Sequence, residues 1–417
     1  MRLRQYSRNP APVQAAGIAE LLSGRLRNAA HTVCIVRPLF LFQDTNMTWT
    51  LIDQCPPPKP GAPAPDNPFA QRRFLHALEQ TGCCNTQSGW EPAHQRHDQG
   101  ALLPLYRKYH SYGEYVFDWA WADAYARAGL NYFPKLVTAI PFTPSMGPRV
   151  LDVDTAAALP AMDEWIDTLP HTCAEHDASG WHLLFPDTAL LSRFAEPEFI
   201  LRKGCQFHWH NRSYRTFDDF LQRMTARRRK TIRKERRRVT EAGIEIRMVE
   251  GSEMRADWLQ RFYAFYHSTY LKRGMHGYLT QTFFRALVTD LADSVCFALA
   301  FRNDELIAGA LFFHDQQTLY GRYWGCIEEI DCLHFEVCYY QGIEYAITKG
   351  LQRFDPGTQG EHKVPRGFEP VATWSAHWLA HREFHELVRR HVRQERAHID
   401  AYMAEAETLL PFKAQDS

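Results

Sequence analysis

The chain contains no run of 18 apolar residues, and its first residues, MRLRQYSRNP, lack the apolar stretch that follows the basic start of a secretory signal. No membrane-spanning helix is therefore expected, and the sequence predicts a cytoplasmic protein. Neither sign of charge is in excess, with 48 Lys and Arg against 48 Asp and Glu. Any preference for a polyanion must then be local. The ten cysteines include no CxxC pair: Cys83 and Cys84 adjoin, and Cys326, Cys332 and Cys338 recur every six residues. Because tetrahedral zinc sites announce themselves by paired Cys or His spacings, reduced and mostly buried thiols are expected, and no metal. HWH at 208–210 reads as a surface pair of histidines rather than a ligand set.

At 417 residues there is apolar material for two or three cores of ordinary size. Residues 1–46 mix Arg, Asn and Pro with one apolar patch, VCIVRPLFLF, before Met47 opens the strand TWTLID. Met47 reads as the natural start with an upstream extension before it, and an ordinary N-terminal arm is an equal reading. The run CPPPKPGAPAPDNP can be neither helix nor central strand and serves as a connector. Domains are expected over 47–205 and 206–417.

The densest chemistry lies in 319–366. Gln317–Gly325 alternates like a strand and carries Tyr320, Arg322 and Trp324 on one parity, which predicts a polar, aromatic wall. His334–Lys349 has helical spacing and closes at Gly350 as a left-handed cap. A short strand, Leu351–Asp355, ends at Pro356 and Gly357. The loop TQGEHKVPR then strings Gln359, Glu361, His362, Lys363 and Arg366 beyond a strand's carboxyl end, where parallel sheets place working groups. In the first half, PLYRKYHSYGEYVFD gathers Lys108, His110, Glu114 and Asp118 in the same way.

From Phe207 the pattern reads as a strand, a basic helix over 217–242, a strand at Ile244–Met248 and helices from Ser252 and Thr280. Three strands follow, then the 334–349 helix, the Phe354 strand and a last helix from about Ser375 to Ala406. AYARAGLNYFP at 124–134 echoes EYAITKGLQRFDP at 344–356, which suggests a duplicated half. Between Arg223 and Arg238 stand ten basic residues and one acid, Glu235. Positive charge all round the helix leaves packing unable to explain it. Arg227, Arg228, Arg229, Lys230, Arg233 and Lys234 are the candidate polyanion contacts, and their binding would be steeply salt-dependent. The plain alternative is a solvated helix, since no aromatic residue is interleaved to stack on bases.

This order resembles the core of the GNAT acyltransferase fold, and with a second copy in the first half it resembles a tandem arrangement. The fold implied is α/β (α+β): two GNAT-like domains, each a mixed, splayed sheet flanked by helices. The strings PLYRKYHSYGEYVFD, RRRKTIRKERR, LYGRYWG, LHFEVCYYQGIE and FDPGTQGEHKVPRGF are similar to those of the FemAB-like "peptidoglycan biosynthesis/recognition" family of predicted N-acyltransferases. The similarity runs from Met47 to the last helix. It implies transfer of an acyl or aminoacyl group from acyl-coenzyme A or aminoacyl-tRNA to a small-molecule or peptide amine, linked to cell-wall precursors. The alternative is a non-catalytic nucleic-acid or polyanion binder acting through 223–238. One departure stands out: the segment GCIEEIDCLHFE replaces the glycine-rich pyrophosphate loop of acetyl-coenzyme A enzymes with Glu328, Glu329 and Asp331, and three acids would repel a pyrophosphate.

An amine that attacks an acyl carbonyl must lose a proton, and the oxyanion formed must be stabilised. Glu361 or His362 is the expected base and Tyr320 the acid. Arg322 and Trp324 would line the acceptor groove, while Gln359, Lys363 and Arg366 contact substrate. Lys108, His110, Glu114 and Asp118 would meet the acceptor or the remote part of the donor. Otherwise the 357–366 loop is a charged fastening between the two halves.

Overall fold

The computed structural model describes residues 48–58, 65–272, 274–358 and 360–413; the 1–46 extension and Gln359 lie outside the described residues. In chain order the strands of the first half are β1 (Trp49–Ile52), β2 (Trp90–Pro92), β3 (His94–His97), β4 (Leu102–Leu103), β5 (Tyr106–Lys108), β6 (Lys135–Thr138) and β7 (Gly180–Leu184). Those of the second are β8 (Ile200–His210), β9 (Ile244–Glu250), β10 (Val295–Arg302), β11 (Glu305–His314), β12 (Thr318–Cys326), β13 (Arg353–Asp355) and β14 (Glu369–Leu379). β1, β3 and β4 make a small sheet, and the rest form one sheet in the order β2-β5-β6-β7-β14-β8-β13-β12-β11-β10-β9.

The first half of this sheet is completed by a strand from the far end of the chain. β14 inserts between β7 and β8, antiparallel to both, and the last residues of β8, Trp209 and His210, pair with Phe354 and Arg353 of β13. The boundary expected at 205/206 thus falls inside β8. Outward from the β14/β8 seam the halves match: β12 and β13 run parallel, as do β6 and β7, and in each half the next strand out is antiparallel. This is the tandem GNAT-like architecture, with a helical crossover in each parallel pair. The echo of 124–134 with 344–356 does not follow that symmetry. The crossover equivalent to the 334–349 helix is Thr155–Glu175, a helix that keeps Pro160 and Pro170 inside it, whereas 119–127 leads into β6.

Local signals fixed the element ends. Thr216 and Asp219 form a capping box, Thr280 accepts from the Phe283 amide, and Asn303 and Asp304 turn β10 into β11 with φ of 52° and 60°. Two expectations fail. The basic helix is Ala226–Glu241, separated from Phe217–Arg223 at Met224, whose backbone bridges Phe412. The last helix is Arg382–Thr408; Ser375–Leu379 belong to β14, where Trp378 stands opposite Trp181. That stretch carries alternating side chains as well as helical spacing, and long-range pairing decides for the strand.

The site depends on how β12 and β13 part. They pair only from Thr318/Arg353 to Tyr320/Asp355. β12 then continues to Cys326, while the other chain turns off through Pro356 and Gly357, the latter at φ 85°. A wedge opens there.

Candidate active site

Asp355 ends β13 at the apex of the wedge with 1% exposure. Its carboxylate accepts from Ser145 Oγ at 3.0 Å, Arg322 Nη2 at 3.1 Å and the Gly357 amide at 2.9 Å, and His208 Nε2 stands 3.7 Å away. Burial pushes this carboxyl up, but Arg322, His208 and the amide outweigh it and hold it well below the usual carboxylate range. His208 is itself oriented by Gln206, whose amide donates to Pro144 O at 2.8 Å. Ser145 and Pro144 come from the first half, Gln206 and His208 from β8, and the rest from the second half. The cluster therefore sits where the two halves meet.

Lys363 completes it. It lies in the 3₁₀ helix Glu361–Arg366 with 1% exposure, and its Nζ donates to Gly357 O at 2.6 Å and Pro356 O at 3.4 Å. Burial lowers its pKa to about 7, Asp355 opposing and Arg322 adding to the shift. Two polar atoms in this cluster, Arg322 Nε and His208 Nδ1, are buried without a hydrogen-bond partner among the described residues. An unpaired buried donor is costly unless something else meets it.

The loop side chains point three ways. Half-buried His362 takes a hydrogen bond at 2.7 Å between Nε2 and Tyr339 Oη, in a group of rings with His334 and Phe335. Burial, with Lys363, His334 and Arg366, lowers its pKa to about 4, so it is a neutral imidazole at pH 7. Glu361 faces the last helix, where Tyr402 Oη donates at 3.5 Å, and burial raises its pKa. Arg366 is fully used: both its bonds to Glu235 are 2.9 Å, and it also donates to Tyr340 and to His362 O. Its role is to lock the loop to the basic helix.

The row of Tyr320, Arg322 and Trp324 does not share one face. The register of β12 against β11 shifts between Leu311 and Phe312, Arg322 is the bulged residue, and the alternation flips there. Tyr320 then packs against Phe69 and Phe313 on one face of the sheet, and Trp324 against His334 on the other. Tyr320 Oη donates to Asp315 at 2.7 Å, and burial and that carboxylate raise its pKa.

In the first half, Lys108, Glu114 and Asp118 do converge, around a residue missed in the sequence, Lys135, which faces Lys108 across β5 and β6. Lys135 donates to Ser111 at 3.0 Å, to Glu114 at 2.8 Å and to Asp118; Tyr132 donates to Asp118 at 2.6 Å. Both Lys108 and Lys135 are 0% exposed. Lys135, Glu114 and Asp118 bind one another, while Lys108 Nζ donates to Tyr112 O at 3.2 Å and lies over the Trp90 ring. His110 stands apart, its ring over Gly89 and against Tyr112. His208 was also misread: it is 5% exposed and belongs to the central cluster.

The basic helix buries Ile232 and Val239, so packing accounts for part of it after all. Arg233, Arg236, Arg237 and Arg238 have acidic partners; Arg229 donates to Met224 O. Arg227, Arg228, Lys230 and Lys234 are exposed. A cavity of about 200 Å³ between this helix and the loop is lined by Arg228, Glu235, Tyr340, Pro365 and Arg366 among others. The acids expected to repel a pyrophosphate are each ion-paired: Glu328 with Arg302, Glu329 with Lys272, and Asp331 with Arg238.

A tandem GNAT-like fold with a buried Asp, Arg and Lys centre at a splayed strand pair defines a class of protein. The sequence places the chain within it: the FemAB-like family, described as peptidoglycan biosynthesis/recognition, matches residues 46–414, and the chain belongs to that family. No curated protein matches the sequence. Among solved structures, L-PGS from Bacillus licheniformis is similar at 10% identity and TM-score 0.47, over 80% of this chain and 99% of that one. FemX is similar at 11% identity and TM-score 0.47, over 78% and 97%. A tandem GNAT protein from the clavulanic acid biosynthesis pathway is similar at 9% identity and TM-score 0.34, over 78% and 90%. No helix among the described residues is long and apolar enough to cross a membrane.

Proposed function

We propose that the protein is an N-acyltransferase that moves an acyl or aminoacyl group from a thioester or aminoacyl-tRNA donor to an amine in the wedge between β12 and β13. The observation that carries this reading is the environment of Lys363: 1% exposed, lowered to about 7, and beside the Arg322–Asp355 pair at the point where the strands separate. At neutral pH such an amine exchanges protons readily. The acceptor ammonium first releases one proton to solvent. As the neutral amine forms the new N–C bond at the acyl carbonyl, Lys363 takes its second proton, the C–O or C–S bond to the carrier breaks, and the leaving group receives that proton from Lys363. Arg322 Nε, a buried donor without a partner among the described residues, would be available to the oxyanion. His362 and Glu361, in the same 3₁₀ helix as Lys363, would act on the incoming amine rather than on the carbonyl.

Arg227, Arg228, Lys230 and Lys234 face solvent on a helix tied to the active loop through Glu235 and Arg366. They would hold the phosphates of a tRNA donor or of a nucleotide-linked cell-wall precursor, and Arg229 and Arg233 would join them by releasing their local partners. The test is a donor screen with radiolabelled acyl-coenzymes A and charged tRNAs against amine acceptors. Transfer to an amine from either donor supports the reading. No transfer from any donor, with salt-sensitive RNA binding intact, supports a binding module instead.

A further inference from the structure

Away from the wedge, three side chains of metal-ligating type meet at the outer end of the sheet. Glu250 ends β9, Cys296 lies opposite it near the start of β10, and His314 ends β11. One ligand atom from each lies within 4.8 Å of the others. Their spacing in sequence, 250, 296 and 314, forms no pair, which is why sequence alone predicts no metal. Only the register of three strands assembles them.

The contacts within the group are incomplete as hydrogen bonds. His314 Nε2 is 3.9 Å from Glu250 Oε2, beyond hydrogen-bond range. Zinc bonds of roughly 2.0–2.3 Å set neighbouring tetrahedral ligands about 3.3–3.8 Å apart, so modest side-chain rotation closes the set on an ion. The carboxylate is already oriented from outside. Tyr345 Oη donates to its two oxygens at 3.2 and 3.1 Å, and Lys349 Nζ holds Oε1 at 2.8 Å. Metal-ligating carboxylates commonly carry such supporting partners.

We propose that Glu250, Cys296 and His314 form a binding site for a borderline divalent cation of the zinc type. A thiolate and a carboxylate balance the dication, the imidazole is a neutral ligand, and the mixed S, N and O set suits zinc or cobalt over magnesium or calcium. Glu250 and His314 are 34% and 22% exposed, which provides an entry path and leaves the fourth position to water. The ion clips β9, the edge strand, to β10 and β11. None of the three residues lines the wedge, so this site stands or falls separately from the acyl-transfer reading.

The test is titration of the metal-free full chain with Co(II), followed by Zn(II) competition. The expected result is one equivalent of cobalt with a thiolate charge-transfer band in the near ultraviolet and four-coordinate ligand-field bands in the visible, both displaced by zinc. Cys296→Ser loses the charge-transfer band, Glu250→Gln weakens binding at least tenfold, and Cys205→Ser leaves both unchanged. Zinc raises the Tm of the wild type and not that of Cys296→Ser. Glu250, about one-third exposed, gives a variant that is expected to fold even if Cys296→Ser does not. Absence of a saturable band, or an unaltered band and affinity in Glu250→Gln, overturns the site.

Discussion

Arg322 and Asp355 form an ion pair of 3.1 Å with side chains 3% and 2% exposed, at the last position where β12 and β13 touch. Removing one partner of a buried pair strands the other charge, at a cost of roughly 3–5 kcal/mol. Arg322→Met is therefore expected to be severely destabilised in urea melts, and Arg322→Met with Asp355→Asn less so than the two single changes summed. A double-mutant cycle with no coupling would show that the pair is not what holds the apex of the wedge closed.

Two buried lysines give stability a distinctive pH dependence. Lys363 and Lys108 are each lowered to about 7 by burial, against about 10.4 in an unfolded chain. Between those values the unfolded state binds more protons, so stability rises with pH; below about 7 both states hold the proton and the full penalty applies. Glu114, raised to about 7 by burial, works oppositely, favouring the fold below its unfolded pKa and losing that benefit as pH rises to 7. Between pH 7 and about 8.5, below the range where unfolded thiols ionise, Lys363→Met is expected to lower the slope of stability against pH by close to one proton. A slope unchanged in that variant would mean that Lys363 is charged in the fold.

Acid stability rests on buried histidines. His208, His334 and His362 are lowered to about 4 and His182 to about 3, in each case mainly by burial. The unfolded chain takes up these protons near pH 6.5, so stability present above that value is lost as pH falls toward 4. His208→Asn is expected to flatten this loss. Imidazole NMR titration that finds His208 protonated at pH 6 would contradict it.

The basic helix divides into two kinds of arginine. Arg236 pairs with Glu336 and Glu344, and Glu336 is largely buried, so Arg236→Ala is expected to cost about 1–3 kcal/mol. Arg227→Glu with Lys230→Glu is expected to leave thermal stability unchanged and to lower RNA affinity and the magnitude of its salt slope. Filter binding across a salt series reads both. Equal loss in the Arg236 and Arg227/Lys230 variants would assign the whole helix to folding.

Much of this was legible because it is local. The Thr216–Asp219 box, the Asn303–Asp304 turn, Gly350 as a cap and the strand, helix, strand succession through 355 depend on neighbours in sequence. The 359–366 loop was found from its composition and its place after a strand. What escaped notice was set by tertiary pairing. The bulge at Arg322 turned Trp324 to the opposite face from Tyr320, and no alternation pattern shows where a bulge falls. β14 crosses to the first half, so Ser375–Leu379 became strand despite its helical spacing. Lys135 reaches Asp118 and Glu114 across a sheet, and His208 finds Asp355 only because β8 is shared. Arg322 and Lys363 are legible from their positions on the strand and in the loop; Asp355, an acid ending a strand before Pro-Gly, offers a signal of the same kind.

The most direct measurement is a single-turnover transfer assay with the donor identified by screening, run on wild type, Lys363→Met and His362→Ala across pH 6 to 9. Proton transfer through Lys363 requires the wild-type rate to follow a group titrating near 7, and Lys363→Met to lose that dependence along with roughly 10²-fold or more in rate, while His362→Ala keeps the pH profile and changes mainly KM. A Lys363→Met enzyme that turns over at the wild-type rate with the same profile would contradict the account.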